Sequence, residues 1–260
     1  MSAPTRDPEL LIGPYEPTNM REDIGALLVH RRTRLDTLLL VGGTLVVAAG
    51  VFLRFWEPSA LWLDEALSVN IASLPLTQIP HALSHDGAPP LFYVLLHFWM
   101  IPFGTSDFAA RALAGVTSVV ALPFFWHAGR RLGGRTTAWV TFFLAAASPF
   151  AINYATTVRM YSLMMLLSVL GYLALSRALE SPTRNRLIGV GLVTAAILYT
   201  HYWGLFLVAV TMIWLGVRIF WERRPNGAAD LAERLAVRKV FGAVIIGSLA
   251  FLPWAPVFVF

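Results

Sequence analysis

The chain has 260 residues, of which 57% are hydrophobic and only 13% charged, against about 45–50% and about 25% in soluble domains. Its mean hydropathy of +0.65 makes a bilayer its main solvent and excludes a soluble globular enzyme. The absence of cysteine excludes disulfides and thiol catalysis, and the net charge of +5 comes from 20 basic residues that fall between apolar runs, where they report topology rather than nucleic-acid binding.

Residues 1–34 are polar and contain Pro4, Pro8, Pro14 and Pro17. They lack the apolar core of a signal peptide and read as a cytosolic tail, in part disordered. Arg31, Arg32 and Arg34 precede a first apolar run over 35–53. Residues 35–260 then read as one transmembrane module. Its further apolar runs cover 112–128, 136–152, 160–176, 187–221 and 240–260. As a single helix the 187–221 run would be about 52 Å long, too long for a ~30 Å hydrocarbon core. It folds into a hairpin with its tip at residues 199–204. The run 89–103, between Pro90 and Pro102, is short for a span and suits an interfacial or re-entrant helix.

The basic residues arbitrate. With 89–103 on the surface, seventeen of them fall on one side and only Arg54, Arg111 and Arg159 on the other. The positive-inside rule favours that arrangement. It gives an all-α polytopic membrane protein of about seven spans, amino end in the cytosol. The first outer loop, 54–110, carries interfacial helices. The loop 222–239 has mixed charge and reads as a solvated helix. High arginine with a single lysine, Lys239, suggests a GC-rich bacterium and its cell membrane.

This topology gathers polar residues on the outer face, where ionisable groups at membrane depth point to function. Asp64 and Glu65 lie in LWLDEALS. A carboxylate there can act as general base on an acceptor hydroxyl, or as a charge at a helix N-terminus. Asp86 follows His85 in HDGAPPLFY, a turn that starts the short helix carrying Tyr93. His81, His85 and Asp86 could take a metal, though a solvated histidine is the plainer reading. Ser106 or Asp107 caps the second span and sets Arg111 one turn inside it. Arg111 and Arg159 can snorkel or grip a phosphate. Tyr161 follows Arg159 in RMYS, and His201 sits in the YTHYWG tip. No Walker loop, GxGxxG, GxSxG or HExxH occurs.

In order, these motifs are an Asp-Glu pair, an acidic residue before Pro-Pro-Leu-Phe-Tyr, Phe-Gly…Asp-Phe-Ala-Ala-Arg, Arg-Arg-Leu-Gly-Gly-Arg, Arg-x-Tyr-Ser and Tyr-Thr-His-Tyr. The set resembles the GT-C membrane glycosyltransferases. It is most similar to the family-39-type branch of protein O-mannosyltransferases and lipid A aminoarabinose transferases. The resemblance runs from about residue 35 to the end. It implies a GT-C helical bundle that moves a sugar, mannose or another hexose or pentose, from a polyprenyl-phosphate donor. The acceptor would be a protein, lipid or glycan on the outer face. By position, Asp64 would be the catalytic aspartate with Glu65 its neighbour, and Asp86 would help place the acceptor or the base. Arg111, Arg159, Tyr161, His201, His85 and Tyr93 would line the donor phosphate and substrate. The resemblance leaves a divalent metal open. Relatives continue with further spans, so this chain would be a shortened homologue, a fragment or half of an assembly. The alternatives are a non-catalytic lipid-phosphate-binding partner of the same fold and, further off, a transporter.

Overall fold

A computed structural model describes residues 18–220 and 228–259, with side chains over 36–220 and 231–257. Every regular element among them is helical. Helix α1 covers Thr18–Leu53. It starts well before residue 35, so the expected boundary between tail and first span lies inside one helix; residues 1–17 of the tail lie outside the described residues. The chain forms two units, Met1–Leu45 and Val46–Phe260. In the first, residues 18–45 continue α1, and Leu38, Leu39 and Leu40 are exposed, as suits a lipid-facing surface.

The second unit carries the remaining elements. Three short helices follow α1: α2 (Leu63–Ala72), α3 (Ile79–Asp86) and α4 (Leu91–Phe103). Proline and glycine set their lengths. Gly87 closes α3 in the left-handed region at φ 70°, which a Cβ disfavours. Pro90 opens α4, and Gly104 ends it just after Pro102. Thirteen residues are too few to cross a bilayer unaided. Phe92, Tyr93, Leu96 and Met100 bury one face of α4. Trp99 Nε1 donates to the Ala109 carbonyl at 2.8 Å, and His97 Nδ1 lies 2.7 Å from the Ala72 carbonyl at the end of α2.

Helix α5 (Asp107–Ala147) is two legs joined at Gly133 and Gly134, whose dihedrals are non-helical. The legs fold against each other: a Cβ on Gly129 would lie 2.6 Å from Thr141 Oγ1. These legs are the expected second and third spans. The third is shorter than the apolar run 136–152, because Pro149 starts a separate helix, α6 (Pro149–Ala155), capped by Ser148. Then come α7 (Tyr161–Glu180), α8 (Arg184–Thr200) and α9 (Gly204–Phe220), and the α8–α9 tip falls at His201–Trp203 as expected. Helix α10 (Ala228–Leu249) begins earlier than the apolar run at 240. The solvated helix expected over 222–239 is therefore its first turns, while 221–227 lie outside the described residues. A 3₁₀ turn at Leu252–Trp254 and α11 (Ala255–Val259) follow. Among the described residues, stretches in α1, α5, α7 and 231–257 are long and apolar enough to cross a membrane, while α4 and α9 are shorter apolar helices.

Candidate active site

Arg54 is structural. Arg54, 1% exposed, follows the last turn of α1. Its guanidinium donates to the Ser118 hydroxyl at 2.9 Å and to the carbonyls of Gly50, Ala146 and Ala145 at 2.7 Å each. The last two carbonyls end the second leg of α5 and have no partner within the helix. Arg54 thus caps that leg and meets the negative end of its dipole. Gly50 makes room for it, since a Cβ there would stand 2.3 Å from the Ala146 oxygen. In the sequence Arg54 counts only toward topology. Its signal was a cation directly after an apolar run with glycine one turn before it.

Arg111 is 6% exposed and Glu65 is wholly buried. Ser106 caps α5 by accepting from the Ala109 amide, which places Arg111 one turn in. Arg111 grips the Glu65 carboxylate with two prongs, Nε at 3.1 Å and Nη2 at 2.6 Å. Its other donors reach the carbonyls of Ser59 at 2.6 Å, Ala60 at 3.2 Å and Glu57 at 3.4 Å. A guanidinium has five N–H donors, and all five are engaged inside the protein. Glu65 also accepts from the Trp62 amide at 3.2 Å, at the start of α2, and from the Val158 amide at 2.9 Å. One buried pair therefore binds four pieces: residues 57–60, the start of α2, α5, and the bend that presents Arg159.

Arg159 differs. It is partly exposed, and no hydrogen bond or ion pair holds its side chain among the described residues. It lies close enough to Tyr93 and His201 to act on both. The Tyr93 hydroxyl donates to Asp86 Oδ2 at 3.0 Å. Burial, then the Asp86 charge, pushes the Tyr93 pKa well above the usual phenol range, with Arg159 and Ser68 pulling the other way. Tyr93 therefore stays a neutral donor. Burial, then Arg159, holds the His201 pKa below 6.5. His201 Nδ1 accepts from the Trp203 amide at 3.1 Å, so the neutral ring carries its proton on Nε2.

Asp64 is partly buried near the start of α2, and its carboxylate makes no hydrogen bond or ion pair among the described residues. Ser68, one turn on, donates to the Asp64 carbonyl at 2.9 Å and lies against the Tyr93 hydroxyl. Residues four apart share a helix face, so Asp64 stands on the face of α2 turned toward Tyr93. Ser68 was not singled out in the sequence, where it reads as a small helix residue. Tyr161 packs between Tyr154 (ring centroids 4.4 Å) and His201 (5.8 Å). His85 is exposed; its Nδ1 bonds the His81 carbonyl and the Ser84 hydroxyl, both within α3. No group of three or more His, Asp or Glu side chains among the described residues is placed to hold a metal ion.

The arrangement offers a free carboxylate, a free guanidinium, a neutral tyrosine bound to a second carboxylate, and a neutral imidazole. Such a set can remove a proton from a hydroxyl and stabilise a departing anion. A family model described as dolichyl-phosphate-mannose-protein mannosyltransferase matches residues 87–254. The matched stretch includes Tyr93, Arg111, Arg159, Tyr161 and His201, and begins just after Asp86. No curated protein matches the chain.

Proposed function

The chain belongs to the dolichyl-phosphate-mannose-protein mannosyltransferase family, and on that premise we propose that Asp64 and Arg159 carry out its sugar transfer. At the coarse level the chain is a polytopic membrane glycosyltransferase of the kind that uses a lipid-linked sugar. The observation that carries the finer reading is that, among the described residues, Asp64 and Arg159 keep their charged groups free while every donor of neighbouring Arg111 is bound.

In this reading the Asp64 carboxylate takes the proton of an acceptor hydroxyl. The acceptor oxygen bonds to the anomeric carbon as the bond from that carbon to the lipid phosphate breaks. Arg159 meets the charge on the departing polyprenyl phosphate, supported by His201. Tyr93, held by Asp86, positions the acceptor side of the site. Arg111 and Glu65 do not touch substrate; they are positioning residues for the bend that carries Arg159. The proposed setting is the outer face of a bacterial cell membrane, where Arg159 and His201 lie opposite the basic loops. The sugar is a hexose or pentose on a polyprenyl phosphate.

The test uses purified protein, radiolabelled polyprenyl-phosphate mannose and source-cell membranes as acceptor. Asp64→Asn should lower transfer by about 10²–10⁴-fold with an unchanged melting temperature. Full transfer by that variant would remove Asp64 from the reaction.

A further inference from the structure

Helices α8 and α10 pack so closely that a Cβ on Gly247 would lie 2.4 Å from the Gly191 carbonyl oxygen. Beside that crossing runs an open groove of about 660 Å³, within the range of ligand pockets. Its lining forms two matching stripes. One runs from Arg184 to Ala195 on α8 and the other from Lys239 to Ala250 along α10, each at positions i, i+3, i+4, i+7, i+8 and i+11. Gly191 approaches Ala243, and Thr194, one turn on, approaches Gly247, so the two helices run parallel, and both stripes start with a cation and end with alanine. The groove is basic at one end and apolar along the rest.

The two cations are exposed and have no protein partner among the described residues. Three nearby arginines are engaged: Arg131 pairs with Glu180, Arg186 donates to the Arg177 and Ser181 carbonyls, and Arg234 donates to the Ile219 carbonyl. Among the described residues, the acidic side chains at this end, Glu180 and Glu233, pair with Arg131 and Arg218, so an external anion would supply the charge that Arg184 and Lys239 lack.

Length selects the kind of anion. Eleven residues of α8 rise about 16 Å, half of a ~30 Å hydrocarbon core. The groove therefore has the depth of one leaflet, with cations at the headgroup level. A partner helix would run the full thickness of the bilayer. We propose that this groove binds an anionic phospholipid, its phosphate between Arg184 and Lys239 and an acyl chain along the glycine-lined floor. The site is separate from the reaction centre, because α8 runs about 24 Å from Arg184 to Thr200, beside His201. The lipid belongs to the leaflet opposite that centre, and the inference stands whether or not Asp64 is the base.

Delipidated protein in non-ionic detergent, titrated with phosphatidylglycerol or phosphatidylcholine and read by native mass spectrometry, tests this. Wild type should bind phosphatidylglycerol about tenfold or more tightly than phosphatidylcholine. The R184Q/K239Q double variant should erase that preference. Gly242→Leu should weaken binding of both lipids; a Cβ at Gly242 meets nothing within 4 Å, so the larger side chain enters the groove without disturbing the backbone. Excess inorganic phosphate should not displace the lipid. Each of these results would overturn the proposal: equal binding of the two lipids by wild type, a preference that survives in R184Q/K239Q, unchanged binding by Gly242→Leu, or displacement by phosphate alone. Delipidated wild type that oligomerises, with Gly242→Leu monomeric, would assign the groove to a helix instead.

Discussion

Arg111 and Arg159 belong to the same cluster and sit either side of one carboxylate's reach. Arg111 bonds Glu65 directly, and Arg159 follows the residue whose amide Glu65 accepts. Yet one guanidinium is saturated by protein and the other is bare among the described residues. The difference is one of desolvation. Arg111 and Glu65 have left water together, which costs free energy that only complete hydrogen bonding offsets. Arg159 keeps contact with solvent, so it can exchange that water for a ligand. A charged residue near a reaction centre is thus informative only once its donors have been counted.

The comparison can be broken most directly at Glu65. Glu65→Ala leaves Arg111 buried without its counter-charge, and we expect a loss of about 3–5 kcal/mol in denaturant unfolding. The double variant Glu65→Leu with Arg111→Met should recover most of that stability. It should still transfer sugar poorly, because the Val158 amide stays unbound and the bend with Arg159 is loosened. A fully active, stable double variant would show that the clamp does not position Arg159. Arg159→Ala should behave in the opposite manner. Its melting curve should stay within about 0.5 kcal/mol of wild type, while transfer falls about 10²–10³-fold.

Smaller effects sharpen the boundary between the two regions. Tyr93→Phe removes one hydrogen bond to Asp86 and should cost about 0.5–1.5 kcal/mol, read as a lowered melting temperature. His201 gives the smallest effect. Its folded pKa lies below its unfolded value of 6.5, so below that pH the unfolded chain binds more protons. The stability it contributes is present above pH 6.5 and is lost as pH falls toward the folded value. Melting temperatures at pH 7.5 and 5.5 should therefore differ less in His201→Gln than in wild type.

Much of the frame was legible in residue order. The short helix between Pro90 and Pro102, the Ser106 cap and the turn at His201–Trp203 all follow from local chemistry, and the structure has each of them. The hairpin at Gly133–Gly134 also fits, with its basic residues at the bend. Helix starts were less legible. The charged first turns of α1 and α10 read as a tail and as a separate solvated helix, because hydropathy reports where lipid begins and not where the backbone stops being helical. The site divides the same way. Asp64 and Asp86 stand out by their motifs, but which of them has a partner does not follow from residue order. Nor does the division between Arg111 and Arg159, since both are arginines at the start of an apolar run. What separates them is a carboxylate 46 residues from Arg111 and an amide 93 residues from that carboxylate, and neither pairing leaves a local trace.

Those separations bear on how the protein is made. Chains are synthesised at about 5–20 residues per second. Glu65 is therefore complete roughly 5–20 s before Val158 exists to bind it, and the pair with Arg111 can form earlier but cannot yet hold the bend. Until Arg111 is made the carboxylate stays in water, because burying it alone would be too costly. Two hairpin legs and a short helix have to be in place before the last bond closes. The clamp acts as a lock on assembly order: Arg159, which we propose meets the leaving phosphate, takes up its place only after both legs of α5 and α6 have formed.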